Sequence, residues 1–565
     1  MMIPKLDSNL KRAIVFSVIL NSALVFSGFY ARTFDSYGHM FFADHYRRTW
    51  FDTWEPKWYM GFSVTSYPPL AHQSLALLSY ITGLESAYII ITILLMILLP
   101  IAVFRFSTVF ISEEAAGYAS LISVFLPGIL YSVYVSGQYT TIFSLVLALF
   151  TVSYFQKYIK NGGVFYYAGL ICLFEATIAA HHFTGIIFMP FLLLVTFFTI
   201  LVNRESNSIT SSKRLFLFLG VGGLLSIIII YPVLFGGVNQ NVHIPHPSTM
   251  NYLTNSELFK IFFIDIYGFF LLLIPLTVIT IRYNKNLLPL FILAIVFFIL
   301  GLGGTTFIPQ IVFGENWLGL TYDRFAHFSS LSFTPLLGLL CVYLNKKKSG
   351  KAFLVIFLGL CILFSGWVGN YTIFHPGPSE VPVESLVNFL DYDEHWKWRY
   401  LTLGFGSYDF GELSILSNAT TLDGLYYRGR DNPALANSGV GYISGAKFEE
   451  NGIAGLRSIL ENSSQYHLRF VFCNDRFYEL LLNETGFILL DENYEQVTIW
   501  IKYDSPQLEI NEIVKTNHVP TLSDYSWGII PMAWLISFIL LNVFKFLENV
   551  KKISGVNFLV NEENS

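Results

Sequence analysis

Charge is scarce in this chain: 13% of its 565 residues are Asp, Glu, Lys or Arg and 54% are hydrophobic, where soluble proteins carry about a quarter charged. That shortage excludes an ordinary soluble domain, and with 54 Phe and 33 Tyr it implies a polytopic membrane protein. Cysteine is scarce too. Cys172, Cys341 and Cys361 fall in apolar stretches and Cys473 in a polar one, which excludes a disulfide framework or a cysteine metal cluster. No repeat or low-complexity tract is present. A cleavable leader is not expected, because Ser27, Gly28 and Ala31 lead straight into a polar loop, so the first apolar stretch reads as a retained anchor. The net charge of −5 is spread over segments on opposite membrane faces and implies no nucleic-acid partner.

Apolar runs of suitable length are centred near residues 21, 97, 125, 148, 172, 193, 225, 270, 294, 335, 360 and 536, predicting about twelve transmembrane helices. Residues 1–12, 105–114, 157–163, 203–214, 282–286, 345–351 and 545–565 together hold 18 of the 34 Lys and Arg. Those segments are cytoplasmic by the positive-inside rule. Both termini are then inside, and the polar chemistry collects outside: the first outer loop (31–85), the turn Gly137-Gln138-Tyr139, the pair His181-His182, the 236–257 loop with His243 and His246, and the 303–323 loop. The expected organisation is a transmembrane region over 1–375, an extracytoplasmic α/β domain over 376–525, and a final helix with a cytoplasmic tail over 526–565.

The polar insertion is long enough to own a core. Residues 400–404, 468–472 and 496–502 alternate or run apolar as strands do, while 453–460 and 476–482 carry helical spacing. Three glycosylation acceptor triplets begin at Asn418, Asn462 and Asn483, and a fourth at Asn370 lies at the entrance; none occurs in the cytoplasmic segments. Gly404-Phe-Gly406 follows a strand, but Asp409 stands where a dinucleotide fingerprint needs its third glycine, so a common turn is the better reading.

The most informative stretch is Phe34 to His72. It sets charge, histidine and aromatics just beyond the uncharged span Ala13–Tyr30, at the exit from the first helix. If a surface helix begins at Ser36, Asp35 and His39 stand four apart on one face, as a general base with its orienting partner or as two ligands of a divalent cation. The alternative makes Asp35 the helix N-cap and His39 a surface contact. Asp44 faces elsewhere and suits an ion pair with Arg47 or Arg48. Trp54, Trp58, Tyr59 and Tyr67-Pro68-Pro69-Leu70 suit the bilayer boundary and equally a sugar or polyprenyl chain.

This series, Asp35-x3-His39, Arg47, Trp54-x-Pro56-x-Trp58, Gly61 and Tyr67-Pro68-Pro69-Leu70, resembles the opening of the multipass family labelled membrane 6-pyruvoyl-tetrahydropterin-synthase-related. That family is related to glycosyltransferases of the GT-C fold. The label implies no pterin chemistry here, since nothing resembles a three-histidine zinc site. The resemblance implies a GT-C-like, mainly α fold and a polyprenyl-phosphate sugar as donor. It also implies a catalytic acid in the first outer loop, which Asp35 matches. Ser36 follows Asp35 where a second acid is frequent, and no WWDYG signature occurs, so monosaccharide transfer is expected rather than whole-glycan transfer. No cofactor is required by this reading, and a divalent cation is the one it can accommodate, on Asp35 and His39.

For the donor phosphate, Arg324 in Tyr322-Asp323-Arg324-Phe325 leads, at the outer mouth of a helix. Its alternatives are a local pair with Asp323 or snorkelling. Lys57 and Arg48 are weaker candidates, and Tyr67 and His182 are further substrate-binding candidates. Asp265 can line the substrate chamber, whereas Glu175 reads better as a hydrogen-bonding group between helices. The expected function is an integral-membrane glycosyltransferase moving sugar from polyprenyl phosphate to a lipid, glycan or protein acceptor at the outer face, among membrane lipids. A flippase of lipid-linked intermediates and a non-catalytic envelope-assembly protein are the alternatives. Convergence of Asp35, His39 and Arg324 favours the enzyme; a midplane path through Glu175 and Asp265 favours transport.

Overall fold

Hydrocarbon offers no partner to a peptide group, so apolar runs of this length must satisfy their backbone internally, as helices. The computed structural model describes residues 7–26, 28, 33–203, 207–235, 246–374, 381–494, 496–509 and 520–554. His243, residues 31–32 of the expected first loop, residues 376–380 of the expected α/β domain and the tail beyond 554 lie outside the described residues. Eight described helices are long and apolar enough to cross a membrane: Ser8–Phe26, Leu84–Ser107, Glu113–Tyr134, Tyr139–Asn161, Thr184–Val202, Ser208–Val233, Asp323–Asn345 and Leu522–Val550. One further pair of helices, Ser256–Leu272 and Thr277–Tyr283, is bent by 46° and is either a broken ninth span or a re-entrant loop, with Pro275 at the break as a cause of the bend.

Eleven of the twelve expected centres fall in helical segments, and the one at 125 falls at the turn joining Glu113–Val124 to Pro127–Tyr134 within a single span. The difference lies in length. Val164–Ala180 and Lys285–Gly301 are apolar but shorter, the first stopped by the polar pair His181-His182 and the second by Gly301 and the glycines after it. Lys348–Phe374 supplies the segment at 360.

The α/β domain carries a four-stranded sheet ordered β3-β4-β6-β5, from Arg399–Leu403 (β3), Leu468–Cys473 (β4), Ile488–Tyr494 (β5) and Val497–Ile501 (β6). β3 and β4 are parallel; β6 runs antiparallel to both β4 and β5. Alternation sorts the two faces. Leu401, Leu403 and Val471 join a core with Leu456, Ile459 and Leu460 of the helix Gly452–Glu461. Tyr400, Phe470 and Phe472 join the larger core that continues into the first loop. Gly404 leaves β3 at φ +79 with the Asp475 Cβ where a side chain would stand, so the Gly-x-Gly is a packing turn.

The first loop is a folded unit. Helix Ser36–Arg48 is followed by a two-residue hairpin, β1 (Trp54–Glu55) with β2 (Phe62–Ser63). Trp58 is fully buried and stacks on Phe41 at 3.6 Å, and Tyr59 is fully buried. Both belong to the core, so the bilayer-boundary reading does not hold for them. Gly61, at φ +99, lies against the Trp54 indole, which any Cβ there would strike.

Candidate functional site

Asp35 sits at the N-cap position of helix Ser36–Arg48, yet its side chain makes no capping bond. Instead its backbone N–H donates to Ser136 O at 3.0 Å. This fastens the start of the helix to the turn entering the helix Tyr139–Asn161. The close approach depends on Gly137, at φ +73, where a Cβ would press on Thr33 and Ser36. The carboxyl is half-buried. Burial raises its pKa to about 6, the nearby Arg324 guanidinium works against that rise, and the Asp323 carboxylate adds to it.

Arg324 opens the helix Asp323–Ser332. Its Nη1 donates to Thr141 Oγ1, and its buried Nε has no hydrogen-bond partner. Asp323 Oδ1 is likewise buried and unbonded. Among the described residues no ion pair joins Arg324 to Asp323, which removes the local pair from its alternatives.

Tyr67 stands between these groups and the histidines. Its hydroxyl shares a hydrogen bond with Thr140 Oγ1 at 2.8 Å, and its ring meets those of His39, His72, His181 and His182 at 5.2–6.4 Å. His39 Nδ1 lies 3.0 Å from His72 Nε2. Burial, reinforced by Arg324, takes the His39 pKa down to about 3, and burial holds His72 well below its ordinary value. Both imidazoles are therefore neutral, one the donor and one the acceptor of their shared bond. His181 Nδ1 accepts from the Thr184 hydroxyl.

The expected pairing of Asp35 with His39 is corrected by this geometry: the imidazole turns to His72, and Arg324 is the charge that governs the carboxyl. No group of three or more His, Cys, Asp or Glu able to hold a metal occurs among the described residues.

Asp35, His39, Tyr67, His182 and Arg324 are thus brought together, and Lys57 and Asp265 are not. Lys57 donates to the carbonyls of Ser414 and Ile415, each at 3.0 Å, at the C-terminus of the helix Ser407–Leu416. There it satisfies orphan carbonyls and favours the helix dipole. Asp265 has Lys260 and Glu257 as its nearest charges. Arg48 joins Asp44 and Glu55 at 2.7 Å each, and His45 reaches Glu55 at 2.9 Å. This network fixes the C-terminal end of the helix Ser36–Arg48. Glu175 accepts from Ser226 of the neighbouring helix at 3.4 Å, a bond between helices.

Sequence reasoning missed His72, Thr140, Thr141 and Tyr426. His72 closes the stretch that attracted notice, and the threonines follow the turn at Gly137. Tyr426 gave no local signal: it comes from the α/β domain, its ring 5.3 Å from Tyr67 and its hydroxyl donating to Ser66 O at 3.1 Å.

No protein-family model matches the chain, and no curated protein matches it. Solved structures do. The apo oligosaccharyltransferase of Archaeoglobus fulgidus aligns with a TM-score of 0.55 at 12% identity, over 82% of this chain and 69% of that one. ArnT from Cupriavidus metallidurans, bound to undecaprenyl phosphate, gives 0.50 at 10% identity over 86% and 97%. The mycobacterial arabinofuranosyltransferase AftD gives 0.51 at 12% identity over 88% of this chain and 40% of its own. The chain has the fold of the polytopic GT-C membrane glycosyltransferases.

Proposed function

We propose that this protein is a GT-C glycosyltransferase that moves a sugar from a polyprenyl-phosphate donor to an acceptor at the outer face of the membrane. The observation that carries the reading is the junction of Asp35 and Arg324. One is a half-buried carboxyl with a pKa raised to about 6, the other a guanidinium with a buried, unbonded Nε. Near neutral pH the carboxylate is ionised and basic enough to take the proton of an acceptor hydroxyl. That oxygen attacks the anomeric carbon, the bond from this carbon to the phosphate oxygen breaks, and the leaving phosphate keeps the electron pair. Arg324 faces the negative charge that grows there. Tyr67, the neutral imidazoles of His39 and His72 and the ring of His182 supply hydrogen-bonding and ring surfaces around the sugar.

The undecaprenyl phosphate held by ArnT supports this class of donor, and the resemblance of the first loop to the 6-pyruvoyl-tetrahydropterin-synthase-related family agrees with it. The basic loops support the outer location: Arg214 bonds the carbonyls of Ile159 and Lys160, at the end of that helix remote from Tyr139. The Glu175–Ser226 bond and the separate surroundings of Asp265 give transport no common path. The test is purified protein assayed with a panel of radiolabelled polyprenyl-phosphate sugars and extracted envelope acceptors, wild type beside Asp35→Asn. Transfer by the wild type and its loss in the variant are expected; no transfer from any donor counts against the enzyme.

A further inference from the structure

The first loop does not stand alone over the site. Residues 421–432 of the α/β domain cross it as a strap, bonded at several points. Thr421 N donates to Lys57 O at 2.8 Å, Tyr426 N to the Tyr59 hydroxyl at 2.8 Å, and the Tyr426 hydroxyl to Ser66 O at 3.1 Å. Leu425 lies over Gly38, at contact distance from where a Cβ on that glycine would stand, between Asp35 and His39 in sequence.

Both ends of the strap are pinned. Asp423 accepts from the N–H groups of Gly424 and Ser444. Arg430 is fully buried, donates to the carbonyls of Leu435, Val440 and Gly441, lies 3.6 Å from Asp423, and sets its guanidinium over the Tyr59 ring. Tyr59 and Met60 hold positive φ beside this cage, a strained backbone that only a strongly determined setting sustains. Between the pinned ends, Leu425, Tyr426 and Tyr427 keep exposed surface.

We infer that this crown is the acceptor-side wall of the site, and that Tyr426 with Tyr427 binds the acceptor as a saccharide. The inference rests on the glycosyltransferase reading for the word acceptor, but its chemistry stands on the wall itself. Tyr426 meets Tyr67 edge-on at 79°, and Phe42 at 5.8 Å and 73°, beside the His39–His72 pair. Pyranose rings offer an apolar face to an aromatic ring and hydroxyls to phenol oxygens, a mixture that the half-exposed rings of Tyr67 and Tyr426 match.

Saturation-transfer NMR on the detergent-solubilised full chain, with a panel of methyl hexosides and methyl disaccharides as probes, tests this without donor or turnover. Transfer to at least one glycoside is expected in the wild type and in Tyr426→Phe, which keeps the ring. Tyr426→Leu, which keeps apolar bulk against Phe42 and Tyr67, should lose about fivefold in affinity. If that variant melts early, Tyr427→Ala gives the same readout from a half-exposed side chain. No transfer in the wild type, or equal transfer in a folded variant of either kind, overturns the proposal. Saccharide binding without glycosyl transfer would count against the donor assignment and leave the wall standing.

Discussion

The guanidinium of Arg324 is the largest favourable charge acting on the carboxyl of Asp35, although the two residues lie at opposite ends of the transmembrane sequence. Asp35→Asn should therefore abolish turnover while leaving donor binding largely intact, if the carboxylate is the base proposed for the acceptor hydroxyl. A loss of about 10² to 10⁴ in rate is expected. Full activity in the variant would eliminate Asp35 as the base.

The same relationship sets a pH profile. Activity needs the carboxylate ionised, so the rate should rise with pH through about 6. Removing the positive charge in Arg324→Gln disfavours the ionised form, raising that pKa and moving the ascending limb to higher pH. Rate profiles of residual activity in wild type and variant read this directly; a limb moving to lower pH would contradict the arrangement.

Arg324 also separates recognition from chemistry. A lysine cannot reproduce the planar fork, so Arg324→Lys should weaken both donor affinity and turnover, and Arg324→Ala should cost about 2 to 4 kcal/mol in transition-state binding. Because no ion pair joins it to Asp323, adding Asp323→Ala should restore little. A double variant near wild-type activity would remove Arg324 from the site.

Lys57 predicts a different phenotype. Its ammonium donates to two carbonyls at the end of the helix Ser407–Leu416, so Lys57→Met should destabilise by about 1 to 3 kcal/mol and leave the affinity for undecaprenyl phosphate unchanged. Thermal melting beside a binding titration checks both halves; loss of binding in a fully folded variant would return Lys57 to the phosphate site.

Topology has its own test. Cysteines at Asn437 and Lys347 should differ on intact cells, the first labelled by an impermeant thiol reagent and the second protected. The reverse pattern would invert the orientation drawn from the basic loops.

What could be read from sequence was local in cause. Apolar runs located each described helix long enough to cross a membrane, and alternation located β3, β4 and β6. Strand β5 escaped because Asp491-Glu492-Asn493 interrupts its pattern, and the helix Ser407–Leu416 because its apolar residues lack a clear stripe. Asp35 and Arg324 were legible as charges at the mouths of apolar spans. Their mutual proximity was not, since it depends on how distant helices pack. The four-residue spacing of Asp35 and His39 misled because Asp35 stands at the helix boundary, while His39 finds a partner 33 residues on. Tyr426 was invisible because its role comes from a strap of another domain.

The turn from Ser136 to Thr141 has a mechanical consequence. Asp35 hangs from its first residue through a peptide bond donor and Arg324 from its last through a side-chain hydroxyl. Both proposed catalytic groups thus share one mount at the head of a single membrane helix. A tilt of that helix, as a thicker or thinner bilayer would impose, carries base and guanidinium together and preserves their spacing. What shifts is their height beneath the strap, so lipid thickness should tune the fit of the acceptor while sparing the intrinsic chemistry.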